Sequence, residues 1–164
     1  MSIVIALGSN LGQSIKTFNS ATEDLSKTFT LKAKSSFYKS QDIYDSNAPH
    51  FINQILIFES MPNLSAFEVM NILLHLEIKY GRIRTHKGSP RTLDLDLIFY
   101  DEQKIEHPYL MLPHPRWHQR SFIIRPLQEL KVDHKFGHAI ANITDFTIDA
   151  FPLTNHIEDQ HYEL

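Results

Sequence analysis

The chain predicts an α+β fold, a ferredoxin-like βαββαβ core in which a mainly antiparallel sheet carries helices packed on one face. Three observations carry that expectation. Ile3 to Leu7 is an apolar run too short for a helix, Ser65-Ala66-Phe67-Glu68 opens a helix with a capping box, and Leu93-Asp94-Leu95-Asp96-Leu97 alternates with the period of a half-buried strand.

Taken in order, Ile3 to Leu7 reads as a buried strand, and Gly8-Ser9-Asn10 after it supplies a turn and a candidate N-cap. Leu11, Ile15, Phe18, Thr22, Leu25 and Phe29 recur at three- and four-residue steps, which predicts an amphipathic helix to about residue 28. A strand over Thr30 to Tyr38 follows, then a polar loop from Ser40 to His50 containing Asn47-Ala48-Pro49 and long enough to bind a ligand. Phe51 to Ser60 returns as a strand. The helix opening at Ser65, with Leu64 and Val69 placed as a hydrophobic staple, runs to Tyr80 and stops at Gly81. A strand over 92–100 completes the core, followed by a turn near Asp101-Glu102 and a candidate partner strand over 103–106. Beyond Lys131 the pattern predicts a turn at Gly137, a helix or a strand to about residue 151, and a polar, His-bearing tail.

Composition bounds the function. With 164 residues and 42% hydrophobic content the chain fits a single globular domain over residues 1–164, with 145–164 the least patterned part. No basic, apolar leader and no apolar run near 18 residues is present, so a cytoplasmic protein without a membrane span is expected. The absence of cysteine excludes disulfides and thiolate chemistry, and a formal charge of −3 argues against general nucleic-acid binding.

Against that acidic balance, Arg82, Arg84, Lys87 and Arg91 lie within ten residues that hold no acid, and Asp94 and Asp96 follow at once. Residues two apart on a strand are roughly 6.6 Å apart and share a face, so both carboxylates converge on one region. Hard oxygen ligands of this kind suit two Mg²⁺ ions, typically about 3.5–4 Å apart and bridged to phosphates. With the flanking cations they form a polyphosphate and metal clamp. A solvated basic loop before a strand with its polar side in water is the plain alternative.

Pro90-Arg91-Thr92-Leu93-Asp94-Leu95-Asp96-Leu97-Ile98, preceded by Gly81-Arg82-Ile83-Arg84, resembles the signature of the 6-hydroxymethyl-7,8-dihydropterin pyrophosphokinase family. Gly8-Ser9-Asn10-Leu11, Phe51-Ile52-Asn53, Leu112-Pro113-His114-Pro115 and Arg120-Ser121-Phe122 fall in that family's order, and the resemblance spans about residues 2 to 130. It implies transfer of diphosphate from ATP to the hydroxymethyl group of a reduced pterin, with AMP as second product, in folate biosynthesis. It implies catalytic roles for Arg82, Arg91, Asp94 and Asp96, with Asp94 and Asp96 holding Mg²⁺. ATP would meet Arg82, Arg84, Lys87, Arg91, His114 and Arg120; the pterin would meet Phe51, Asn53 and Phe122. The expected partners are these two small molecules, without nucleic acid or membrane, and a monomer is the default state. Gly81, Gly88 and Pro90 predict a basic loop that moves and closes over ATP.

The match has departures. Ser89 stands where Gly or Ala is usual, the 86–90 segment is one residue short and lacks a frequent tryptophan, Ser40-Gln41-Asp42 replaces a Pro-containing stretch on the pterin side, and Leu74 replaces a frequent Gln. They motivate an alternative, a diverged paralogue that binds pterin or nucleotide with lost or altered transfer. A third reading, an RNA-binding ferredoxin-like module stacking bases on Phe51 and Phe122, lacks the Gly-aromatic strand motifs and the basic sheet face such modules carry. His114-x3-His118 and His134-x3-His138 have helical ligand spacing, but Pro115 and Gly137 interrupt them, and surface histidines explain them better. Glu77, an acid in the last turn of its helix, is expected to offset the unfavourable dipole with Arg82 or Arg84 and is not counted in the site.

Overall fold

The computed structural model describes residues 2–82, 91–132 and 137–153. Arg84, Lys87, Ser89, the closing loop and most of the polar tail lie outside the described residues.

The elements run β1 (Ser2–Ser9), α1 (Ser14–Ser26), β2 (Leu31–Lys34), β3 (Tyr38–Ser40), β4 (Phe51–Glu59), α2 (Ala66–Lys79), β5 (Asp94–Tyr100), β6 (Ile105–His107), β7 (Leu110–Leu112), a 3₁₀ turn at Trp117–Gln119, α3 (Ser121–Glu129), α4 (Gly137–Asn142) and β8 (Ala150–Pro152). The main sheet is ordered β5-β1-β4-β3-β8, with β2 also on β4, and its pairings are antiparallel. The expected βαββαβ core is therefore present, with β1 and β4 at its centre.

Alternate residues of the central strands feed two cores. Ile3, Ile5 and Leu7 of β1 join Phe18, Ala21 and Leu25 of α1 and Val69 and Leu73 of α2 on one face. Val4 and Ala6 join Ile123 and Leu127 of α3 and Ile140 of α4 on the other. The expectation of helices on one face is thus corrected: α1 and α2 hold it, while α3 and α4 cover the reverse face, and β1 is apolar at every position from Ile3 to Leu7 because both sides are buried.

The α2 capping box forms as read, Ser65 Oγ accepting from Glu68 N at 3.3 Å and Glu68 Oε2 from Ser65 N at 2.7 Å. Gly81 ends the helix at φ +82, a conformation glycine adopts without penalty. Other boundaries move. Leu11 is 41% exposed and α1 begins only at Ser14, so Asn10 is no N-cap. The strand expected over 30–38 divides into β2 and β3 because the hydroxyl of Ser35 accepts from Ile55 N, which breaks the ladder. The strand expected over 103–106 appears as β6, pairing with β7 in a separate ribbon and not with β5. At Gly137 a short helix begins instead of a turn, and a strand near 151 does form, as β8 on the edge of β3. Among the described residues no helix is long and apolar enough to cross a membrane.

Candidate active site

The site lies where the central strands end. Gly8 of β1 is paired with Asn53 of β4 on one side and Asp94 of β5 on the other. A Cβ at Gly8 would sit 3.7 to 3.8 Å from Phe51, Asn53 and Asp94, so the bare backbone forms a floor with three functional side chains around it. Above it opens a cleft of about 260 Å³. Every described residue of the expected site lines it: Phe51, Asn53, Arg82, Arg91, Asp94, Asp96, His114, Arg120 and Phe122.

The period-2 reading of β5 places both carboxylates in the cleft and Leu93, Leu95 and Leu97 in the core. Each carboxylate faces arginine. Asp94 Oδ1 accepts from Arg82 at 2.5 Å and its Oδ2 from Arg91 at 2.7 Å, while Arg120 stands 3.7 Å from Asp96. The same arginines lean on the aromatic rings, Arg91 at 5.9 Å from the centroid of Phe51 and Arg120 at 5.6 Å from that of Phe122. Two chains result, Asp94–Arg91–Phe51 and Asp96–Arg120–Phe122, which couple the acidic strand to the two rings.

Glu77, set aside in the sequence, belongs here. Its carboxylate is only 4% exposed, pairs with Arg82, and accepts from the backbone N–H of Leu95 at 2.8 Å. Burial and the nearby Asp94 charge raise its pKa to about 7, against the Leu95 hydrogen bond and Arg82. Asp96 is also raised, to about 6, by its desolvating walls and by Asp94, with Arg120, Arg82 and Arg91 opposing. His114 is held neutral, its pKa lowered to about 4 by burial and by Arg120 and Arg116. The expected Arg82 partner of Glu77 is present; its burial is what the helix pattern could not reveal.

Asn10 contributes through the backbone. It exchanges two hydrogen bonds with Arg91, its N–H donating to Arg91 O at 3.0 Å and its Oδ1 accepting from Arg91 N at 2.8 Å, so the β1 turn fixes where Arg91 starts. On the other wall, Asn53 Nδ2 donates to Ser40 Oγ at 2.8 Å, which orients the amide. Asp42, Tyr44 and Arg116 also line the cleft; the polar 40–50 loop was the only sequence signal for the first two, and the His114 segment for the third.

Among the described residues no group of three or more acidic or histidine side chains could cage a metal. Asp94 and Asp96 nonetheless fit Mg²⁺, which takes one or two carboxylates and completes its shell with water and substrate phosphate. Arg82 and Arg91 occupy Asp94, and Arg82 Nε is a buried N–H with no acceptor among the described residues. An incoming phosphate would satisfy such donors. The arrangement can therefore exchange partners, guanidinium passing from carboxylate to phosphate.

Comparison with known proteins agrees with this geometry. The family described as 7,8-dihydro-6-hydroxymethylpterin-pyrophosphokinase matches residues 4–132. The 2-amino-4-hydroxy-6-hydroxymethyldihydropteridine pyrophosphokinase of Synechocystis sp. is 35% identical over 147 residues, covering 87% of this chain and 74% of the relative. The Haemophilus influenzae protein of the same name is 34% identical over 131 residues, 79% of this chain and 81% of the relative. The mitochondrial folate synthesis bifunctional protein of Arabidopsis thaliana is 31% identical over 87% of this chain but only 24% of its own length. By the extent of the family match and by these identities, the chain belongs to the 7,8-dihydro-6-hydroxymethylpterin pyrophosphokinase family.

Proposed function

We propose that the chain transfers diphosphate from ATP to the hydroxymethyl group of 6-hydroxymethyl-7,8-dihydropterin, releasing AMP, with Mg²⁺ held by Asp94 and Asp96. The observation that carries this reading is the pair of Asp–Arg–Phe chains, which sets a phosphate-charge region directly beside two rings in one cleft. When bound, Mg²⁺ supplies Lewis-acid stabilisation of phosphate charge and lowers the pKa of the attacking hydroxyl.

The chain's own residues do the rest. Arg82 and Arg91 release Asp94 and turn to the transferring and leaving phosphates, where charge develops during transfer. Arg120 and His114 contact the same phosphates. His114, uncharged near neutral pH, hydrogen-bonds without adding a positive charge. Phe51 and Phe122 hold the flat heterocycle by stacking and Asn53 reads its polar edge, which aligns the hydroxymethyl oxygen for in-line attack on the β-phosphorus. No side chain is assigned as general base, and the proton of the attacking hydroxyl passes to solvent. Arg84 and Lys87 add positive charge to the same phosphates.

The test is incubation with ATP, Mg²⁺ and 6-hydroxymethyl-7,8-dihydropterin while AMP is followed by chromatography. Pterin-dependent AMP is expected. Tight pterin binding without AMP would overturn transfer in favour of the diverged paralogue.

A further inference from the structure

Asp42 lines the cleft two residues beyond β3, where the sequence departs from the family's Pro-containing stretch, and it is 4% exposed. Its Oδ1 accepts from the backbone N–H of Tyr44 at 2.6 Å and of Asp45 at 3.0 Å, closing an Asx turn. That turn needs one acceptor oxygen only. The other, Oδ2, takes no hydrogen bond from the described residues and is not among their fully buried polar atoms, on a residue that lines the cleft.

The neighbouring amide is polarised the same way. Asn53 Nδ2 is spent on Ser40 Oγ at 2.8 Å, with Tyr38 O and Phe51 O at 3.4 Å, which leaves Oδ1 as the group free for a ligand. Oδ1 lies 3.8 Å from the position a Gly8 Cβ would take, where no side chain intervenes. The β3 and β4 side of the cleft therefore presents acceptors. A carboxylate oxygen covered by a flat heterocycle loses its water and must be given a donor in return.

We propose that Asp42 is a specificity-determining residue: its Oδ2 accepts from the exocyclic amino group of a 2-amino heterocycle lying between Phe51 and Phe122, and selects it over the 2-oxo counterpart. This rests on the reading of the cleft as a pterin site. A 2-oxo group in the same place would set a carbonyl oxygen against a carboxylate oxygen, leaving both without a donor. Replacing the amino group or the carboxylate therefore has the same direction of effect, and the two changes are not additive.

The experiment titrates wild type and Asp42→Asn with 6-hydroxymethylpterin and with 6-hydroxymethyllumazine, its 2-oxo analogue, by intrinsic ligand fluorescence in the presence of Mg²⁺ and a non-hydrolysable ATP analogue. Asparagine keeps an oxygen for the 42–45 turn but turns an NH₂ toward the ligand. The expected result is a wild-type preference for the pterin of about tenfold or more, which collapses in the variant mainly through weaker pterin binding. An equal loss for both ligands would assign Asp42 to loop order alone, and an unchanged preference would overturn the proposal outright. Should Asp42→Asn not fold, the wild-type ratio still decides, because a ratio near one overturns the idea without any variant. Failure of the underlying reading looks different: wild type would bind neither ligand and form no pterin-dependent AMP.

Discussion

Replacing Glu77 by alanine tests whether a buried acid organises the site from behind. The carboxylate accepts from Leu95 N–H, so its removal leaves that buried donor without a partner, a loss of about 1–3 kcal/mol. It also removes one of two carboxylates around Arg82. Breaking a buried ion pair costs about 3–5 kcal/mol when the remaining charge is stranded, but Arg82 keeps Asp94, so the loss lies well below that range. Relief of the burial that raises the Glu77 pKa offsets part of the total. The net expectation is about 2–4 kcal/mol, or roughly 5–15 °C in melting temperature for a chain of this size. Glu77→Gln keeps an acceptor for Leu95 and loses less. Folding raises the Glu77 pKa, so the folded state holds more protons between 4.5 and about 7, and this group's contribution to stability falls as pH rises through that window. The glutamine variant loses that slope. The assays are thermal unfolding at several pH values and AMP formation at a temperature where both proteins are folded. An alanine variant that melts within about a degree of wild type and forms AMP at the same rate would refute the reasoning.

Three further outcomes follow from the geometry. Asp94→Ala lowers AMP formation by about 10³-fold or more while the fold persists, because Asp94 lies on the cleft face of β5 and takes no part in the core; full activity would overturn the proposed metal role of Asp94. Phe51→Ala raises the pterin KM about tenfold or more, the scale of one lost stacking face, and leaves the ATP KM near wild type; a change confined to ATP would contradict the stacking role. Folding lowers the His114 pKa from 6.5 to about 4, so the folded state binds fewer protons in that window and stability falls as pH drops through it. His114→Gln should show a shallower acid limb in denaturant titrations, and an unchanged limb would remove the histidine from the acid response.

The parts legible in the sequence were those with a local cause. The capping box needs only Ser65 and Glu68, and the alternation from Leu93 to Leu97 states which face of β5 is buried, so α2 and the Asp pair could be read directly. Elements decided by tertiary contact were not. In α3, Ile123, Ile124 and Leu127 have helical spacing, but Pro126 interrupts the segment and no side chain caps its start, so the helix that covers the second sheet face gave no clear signal. Glu77 looked like an unfavourable acid at a helix end because its partner Leu95 is a backbone group on another element. Asn10 had the residue type of an N-cap and uses the same oxygen instead on Arg91, 81 positions away.

The described lining of the cleft carries four carboxylates, Asp42, Glu77, Asp94 and Asp96, and four guanidinium groups, Arg82, Arg91, Arg116 and Arg120. Each side thus serves as the other's built-in counter-ion. The described lining therefore holds its acids and bases nearly in balance and projects little field into the surrounding solution, so long-range steering of ligands from it is weak. Against such a lining, the energy of capturing a charged ligand lies in the exchange of neighbours at contact distance. Such exchange is nearly insensitive to ionic strength, because its distances are shorter than the roughly 8 Å over which physiological salt screens.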